Sequence, residues 1–255
     1  MNTILEVKHL IKEYDVGKNS RQRVLHDVSM TIERGEFLSV MGPSGSGKST
    51  LLYTVSGMDR ATQGSVRFCD IDFSAMSEDE IAKIRLSRMG FIFQQNNLLK
   101  NLNIFDNILL SACLSKRETK QEIKERGKKL MEQTGILQLA DRPITQASGG
   151  QLQRASICRA LMNQPEILFG DEPTGALNSK AAGEIMDILL KINENGTTVL
   201  LVTHDIKVAA KTQRVLFMMD GVIAGEKHLG KYQGEAGSLK SREQKLTKWL
   251  SDLGF

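Results

Sequence analysis

The chain has 255 residues, with 34 Lys and Arg against 30 Asp and Glu, 40% hydrophobic and 25% charged residues. That length holds one large α/β domain, or a core with a small inserted subdomain, and a net charge of +4 is too mild to argue for a nucleic-acid partner. Cys69, Cys113 and Cys158 are odd in number, widely spaced and form no C-x-x-C pair, which argues against a zinc site or disulfide framework and for reduced thiols in a cytoplasmic protein.

Residues 1–10 lack a basic start followed by an apolar stretch, so no signal peptide is expected. Apolar runs such as 108–110 and 199–202 fall far short of the ~20 residues that span a bilayer. Any membrane role is expected to come through a partner.

The first β-rich run is 4–8, and residues 15–23, polar and bearing Lys and Arg, read as an exposed loop. Residues 24–33 alternate as a half-buried antiparallel strand does. Residues 36–41 read as another strand, and residues 49–56 as a helix. Between them stand Gly42, Pro43, Ser44, Gly45, Ser46, Gly47, Lys48, Ser49 and Thr50, which complete the phosphate-loop pattern G-x-x-x-x-G-K-[ST]. The glycines let backbone N–H groups close on phosphate oxygens where side chains would block them. Lys48 supplies a point charge, the Ser49 hydroxyl can ligate Mg²⁺, and the helix start near Gly47 points its positive end at the same anion.

A strand follows at 65–71, and residues 96–147 then show no convincing strand. Within them, 116–134 reads as a highly charged helix with a thin apolar stripe of Ile123, Leu130, Met131 and Thr134. This is expected to be a helical insertion. Ser148, Gly149, Gly150 and Gln151 precede a helix at 151–162, and the paired glycines suggest a second anion-binding backbone nest. The apolar run 166–169 leads to Asp171 and Glu172. Asp171 suits a Mg²⁺ shell and Glu172 a general base on the attacking water. A helix at 181–193 and strands at 198–203 and 215–219 complete the core. The continuous apolar character of the later strands indicates a sheet covered on both faces. The predicted class is α/β: a phosphate-loop NTPase core with a mostly parallel sheet, an N-terminal antiparallel β subdomain and an inserted α-helical subdomain.

At the C-terminus Leu246, Trp249, Leu250 and Leu253 share one helix face, with Ser241 and Gln244 at capping-box spacing. From residue 226 onward six Lys and Arg face four Asp and Glu, a local charge of +2. That is weak for independent membrane binding by so short a helix.

The chain resembles the nucleotide-binding subunit of an ABC transporter over roughly residues 3–225, with the family's motifs in order. The resemblance implies that Tyr14 stacks on adenine. Gln94 is the loop glutamine that senses Mg²⁺ and water and faces the membrane subunit, Ser148 to Gln151 form the signature, residues 176–178 cross the dimer interface, and His204 is the switch histidine near the γ-phosphate. Catalysis would rest on Glu172, His204 and Gln94, and Mg²⁺ on Ser49, Gln94 and Asp171. Residues 42–50 of one chain and Ser148 to Gln151 of another would clamp each ATP in a head-to-tail dimer. Two departures stand out: Ala147 replaces the signature leucine, and Asn178 replaces the interface aspartate. The second keeps hydrogen bonding and loses a charge.

Residues 91–99 and 171–177 resemble a subgroup of macrolide exporters, lipoprotein-releasing and cell-division ATPases, and bacitracin-type peptide-resistance transporters. Asn178, Ser179 and the C-terminal extension tilt toward the peptide-resistance branch. The implied partners are a second copy, an integral membrane permease that places the chain at the cytoplasmic face of the membrane, and a membrane sensor kinase. Nucleic acid is not among them: a soluble superfamily member acting on DNA or ribosomes would usually carry tandem cassettes or long coiled coils. A structural switch of the cell-division type is the other alternative. Leu98, Leu99, Leu102, Ile104 and Phe105 are candidates for the socket of a permease loop, internal packing being the alternative. Residues 1–230 are expected to form the ATPase domain, with the helical subdomain at about 96–147, and 231–255 an amphipathic helical extension.

Overall fold

The structure, a computed structural model, describes residues 2–17, 20–234 and 237–254. In chain order the elements are β1 (Thr3–Gly17), β2 (Ser20–Glu33), β3 (Phe37–Met41), α1 (Lys48–Val55), β4 (Gln63–Phe68), β5 (Ile71–Asp72), α2 (Glu78–Arg88), β6 (Met89–Phe93), α3 (Ile104–Ser115) and α4 (Lys120–Gln133). There follow α5 (Gly149–Leu161), β7 (Ile167–Asp171), α6 (Ser179–Glu194), β8 (Thr198–Val202), α7 (Ile206–Ala209), β9 (Arg214–Met219), β10 (Val222–His228) and α8 (Ser238–Asp252). They fall into two compact units, one of Met1–Ala82 with Thr198–Phe255 and one of Lys83–Thr197. The α/β class and the N-terminal antiparallel sheet are as expected.

The first unit holds an antiparallel sheet in the order β2-β1-β4-β5. Within 15–23 the described residues are not a loop. β1 and β2 continue through them, pairing Glu13 with Arg23, Tyr14 with Gln22 and Asp15 with Arg21. Cross-strand ion pairs, Arg23–Glu13 at 2.8 Å and Arg21–Asp15 at 3.1 Å, account for the polar composition of a ribbon that faces water on both sides. Lys18 and Asn19 of that segment lie outside the described residues. The second sheet of this unit places β3 between β8 and β9, all parallel, with β10 antiparallel to β9. β3 and β8 are buried at every residue, hence their unbroken apolar runs. β10 was not anticipated, because its exposure alternates and its composition is that of a polar edge.

Helix α8 docks on this unit. Leu246 and Leu250 join Met41, Ala209, Val215 and Phe217 in one core, with Trp249 and Leu253 packed against it. The Trp249 ring meets Phe217 edge-on at 6.4 Å. Buried Arg242 donates to four main-chain carbonyls: Ala210 and Thr212 at 2.6 Å, Leu229 at 2.8 Å and Gly230 at 2.9 Å. The helix starts after Gly237, which takes φ 86°. Ser241 already donates its N–H to the Gly237 carbonyl, so the expected Ser241–Gln244 cap falls inside the helix.

In the second unit β6 and β7 are parallel, pairing Phe91 with Phe169 and Phe93 with Asp171. Helices α3, α4 and α5 bury Ile104, Ile108, Ile123, Met131, Ala155 and Cys158 together. The helix expected over 116–134 begins later. Lys116 takes φ 51° and ends α3, and a Thr119–Glu122 capping box starts α4. Thr134 hydrogen-bonds the Cys158 thiol at 3.1 Å, and burial pushes that thiol up to about 12. Of the socket candidates, Ile104 is fully buried and Leu98 and Phe105 pack against the same core. Leu102 is half-buried, which leaves Leu99 as the exposed member.

Candidate active site

In the first unit the phosphate loop leaves β3 at Met41 and enters α1 at Lys48. A Cβ on Gly42 would stand 2.1 Å from the Met218 carbonyl oxygen, and Gly47, at φ 95°, runs close beside Val24 and Leu25. Side chains at either position would force the loop open. Gly47 at the N-cap brings no capping side chain to α1, and a helix N-terminus of this kind favours an anion. Lys48 is buried and donates to the carbonyls of Gly42 and Pro43 at 2.9 and 2.8 Å. The Ser46 hydroxyl is buried with no hydrogen-bond partner. An orphaned hydroxyl, a lysine folded on loop carbonyls and an uncapped helix end fit a polyphosphate.

Tyr14 stands on β1, 37% exposed, with its hydroxyl donating to Asp59 just beyond α1 at 2.7 Å. That position suits a base attached to phosphates held at residues 42–50. His204 follows β8, exposed. Thr203 donates its N–H to the Val40 carbonyl, so His204 emerges beside the end of β3 that carries the phosphate loop. Asp205 then caps α7 through Lys207 N–H at 2.7 Å. Ligands of open α/β sheets gather at such carboxyl ends.

The second unit brings Gln94, Asp171 and Glu172 together. Because Phe93 pairs with Asp171, Gln94 and Glu172 leave the sheet side by side. A Cβ on Gly175 would lie 2.9 Å from Gln94 Nε2 and 3.2 Å from Glu172 Oε2, so both side-chain ends close over one glycine. Glu172 holds φ 46°, a left-handed conformation rare for a residue with a side chain. Such backbone costs of order 1–3 kcal/mol and gathers at active sites.

The signature corrects one expectation. Gly149 and Gly150 do not form a nest, since neither has positive φ; they are the first turn of α5. Ser148 is the N-cap in a capping box: its hydroxyl accepts from Gln151 N–H, and Gln151 Oε1 accepts from Ser148 N–H at 2.9 Å. Asn178 caps α6 in the same way through Ala181 N–H at 2.9 Å. Both helix starts line one cavity of about 450 Å³, which Gly135, Arg154 and Glu184 also border. Two helix N-termini on its wall give that cavity a partial positive field. Arg154 bridges its wall, to Glu184 at 2.6 Å and the Thr134 carbonyl at 2.7 Å.

Sequence reasoning missed two residues that tie the signature helix to the glutamine loop. Gln153, buried on α5, donates to the Phe93 carbonyl at 3.2 Å. Arg159 donates to the carbonyls of Asn96 and Asn97, both at 2.7 Å, and burial lowers its affinity for a proton. The only available signal was an Arg beside Cys158 on the predicted helix, which is weak in isolation.

The ABC transporter family model matches residues 25–175. The chain belongs to the ABC transporter family. The cassette is 40% identical over 228 residues to the bacitracin export ATP-binding protein BceA of Halalkalibacterium halodurans, covering 89% of each chain. It is 37% identical over 244 residues to the lipoprotein-releasing system ATP-binding protein LolD 1 of Chlorobium chlorochromatii, covering 94% of this chain and 99% of that one. It is 41% identical over 223 residues to the macrolide export ATP-binding/permease protein MacB of Aggregatibacter actinomycetemcomitans, covering 88% of this chain and 34% of that one. It therefore spans about a third of the length of the macrolide exporters it matches. Among solved structures, the dimeric post-hydrolysis state of the ATP-binding cassette MJ0796 bound to ADP and Pi superposes with a TM-score of 0.83 at 38% identity, covering 90% of this chain and 100% of that one. Fold, phosphate loop and relatives together make this an ABC-type ATPase. Among the described residues no helix is long and apolar enough to cross a membrane.

Proposed function

We propose that the cassette powers a membrane ABC transporter as one half of a head-to-tail dimer. The observation that carries this is the cavity between the starts of α5 and α6. It has the field for an anion, while the phosphate loop of the other unit already provides a nucleotide site. A second copy would bring its nucleotide to Ser148, Gly149, Gly150 and Gln151. Residues 42–50 would hold the phosphates and Tyr14 the base. Among the described residues no cluster of three His, Cys, Asp or Glu is arranged for a metal. A Mg²⁺ held by Ser49, Gln94 and Asp171 would therefore take much of its shell from phosphate and water, as Mg²⁺ usually does. When bound it would neutralise charge developing on the phosphates. Glu172 would orient and deprotonate the attacking water, and His204 would contact the γ-phosphate.

The work driven is export, removal or sensing of antimicrobial peptides or similar amphiphiles, in keeping with the similarity to BceA. The partner is an integral permease contacting the segment after Gln94, where Leu99 is exposed. The cassette would then sit at the cytoplasmic face of the membrane, with a sensor kinase as a further partner in the peptide-resistance reading. The end-to-end match to LolD 1 favours a second reading, release of lipoproteins or a related mechanical task. Co-purifying the permease and identifying its extracellular domain separates the two.

Glu172→Gln tests the core of the proposal. It keeps shape and removes the base, so turnover should fall at least about a hundredfold with ATP binding retained. Sedimentation at saturating ATP and Mg²⁺ should show a dimer. A monomer under those conditions overturns the shared-site reading.

A further inference from the structure

Lys12 and Asp59 converge on Tyr14, and neither belongs to the phosphate loop. Lys12 and Tyr14 are two residues apart on β1, so their side chains leave the same face. The Asp59 carboxylate, just beyond α1, accepts from both, from Lys12 Nζ at 2.6 Å and from Tyr14 Oη at 2.7 Å. Asp59 is itself fixed: its N–H donates to the Tyr53 carbonyl at 3.1 Å, and Arg60 N–H donates to its Oδ1 at 2.8 Å. Lys12 is 8% exposed and donates also to the Arg60 carbonyl at 2.8 Å. Its ammonium lies over the Tyr14 ring, 4.6 Å from the centroid.

This cluster has three consequences for the ring. One face is closed by a cation, so a base can stack only on the other. The hydroxyl is committed to Asp59, so the torsions that swing the ring are fixed before any ligand arrives. Through Asp59, whose N–H is held by Tyr53 of α1, the ring is tied to the helix that follows the phosphate loop. Burial and the adjoining Asp59 push the Tyr14 phenol up to about 12, so it remains a donor throughout the neutral range. Burial opposes the charge on Asp59, but hydrogen bonds from Lys12 and Tyr14 outweigh it and hold the carboxyl below its ordinary range. A platform ordered in advance loses less freedom on binding.

We infer that Lys12 and Asp59 are positioning residues for the nucleotide base: they lock the Tyr14 ring beside the phosphate loop with one face left for stacking. The inference rests on the reading of Tyr14 as the base platform. It assigns the selectivity for base-bearing triphosphates over bare polyphosphate to a trio of residues rather than to one ring.

Inorganic tripolyphosphate fills a phosphate loop and carries no base. Its dissociation constant and that of ATP are compared by calorimetry, with Mg²⁺, on the whole cassette. Tyr14→Ala should weaken ATP about tenfold or more, the usual effect of losing a stacked base, and leave tripolyphosphate unchanged. Tyr14→Phe keeps the ring and cuts its ties, and should weaken ATP about threefold or more, again with tripolyphosphate unchanged. The double variant Lys12→Met with Asp59→Leu replaces the buried pair with apolar volume, which folds tolerate, and should match Tyr14→Phe. Wild-type ATP affinity in both Tyr14→Phe and the double variant, beside a clear loss in Tyr14→Ala, overturns the positioning role and leaves the platform standing. Equal losses for ATP and tripolyphosphate in the double variant also overturn it, because the pair would then serve the loop. No loss of ATP affinity in Tyr14→Ala removes the platform reading itself, and the inference with it.

Discussion

The two glycine-bearing helix starts of this chain are built in opposite ways. At α1 the loop is tight against Met218, Val24 and Leu25, no side chain caps the helix, and a buried lysine folds on its own loop carbonyls. At α5 the helix is sealed by its own capping box and exposed at Ser148 and Gly149. The first end has no capping side chain of its own, the condition for a site that binds in its own chain. The second holds its shape through its own box, which answers the N–H groups of Ser148 and Gln151, as suits a site that acts on another molecule's nucleotide. Similar composition therefore does not mean similar duty: what differs is whether a side chain caps the helix.

Breaking the α1 end should have the larger effect. Lys48→Ala should weaken ATP at least about tenfold in a direct binding assay, since a charge-assisted contact is lost. Unchanged affinity would sink the phosphate-loop assignment. Ser148→Ala should act differently. Loss of the cap costs about 1 kcal/mol, visible as a lower urea midpoint, while ATP binding to the isolated chain stays at the wild-type level and turnover falls about tenfold. If ATP affinity of the monomer fell with it, the contrast between the two ends would collapse. Asn178→Asp is the smallest perturbation. Asn and Asp cap helices about equally, so stability should move by less than about 0.5 kcal/mol. The rate or its cooperativity in ATP should still change modestly, because the new charge stands on the wall of the α5–α6 cavity. A large loss of folding stability would show that the neutral amide is required at that cap.

The phosphate loop was legible because its chemistry lies in nine consecutive residues between a strand and a helix. Glu172 was legible from its apolar run, although its left-handed backbone was not, since that conformation is imposed by its neighbours. Tyr14, Gln94 and His204 were placed by resemblance alone: a lone aromatic, amide or imidazole carries no local signal. The grip of Gln153 and Arg159 on residues 93–97 joins positions about sixty apart in sequence, a pairing that only the fold reveals. β6 and β10 escaped because a five-residue strand after a helix and a polar edge strand both lack the expected pattern. Residues 15–23 misled in the same way, since a two-sided polar ribbon has loop-like composition.

Arg242 carries a last consequence. Its charge is met by four main-chain carbonyls, groups that neither titrate nor exchange for counter-ions. An attachment of this kind has no carboxylate for acid to neutralise, and burial shields it from added salt. The docking of α8 should therefore be indifferent to mild acid and to ionic strength, unlike the cross-strand ion pairs of the β1–β2 ribbon. It depends on the flat, forked shape of one side chain more than on its charge, so lysine at that position would keep the charge and lose the hold.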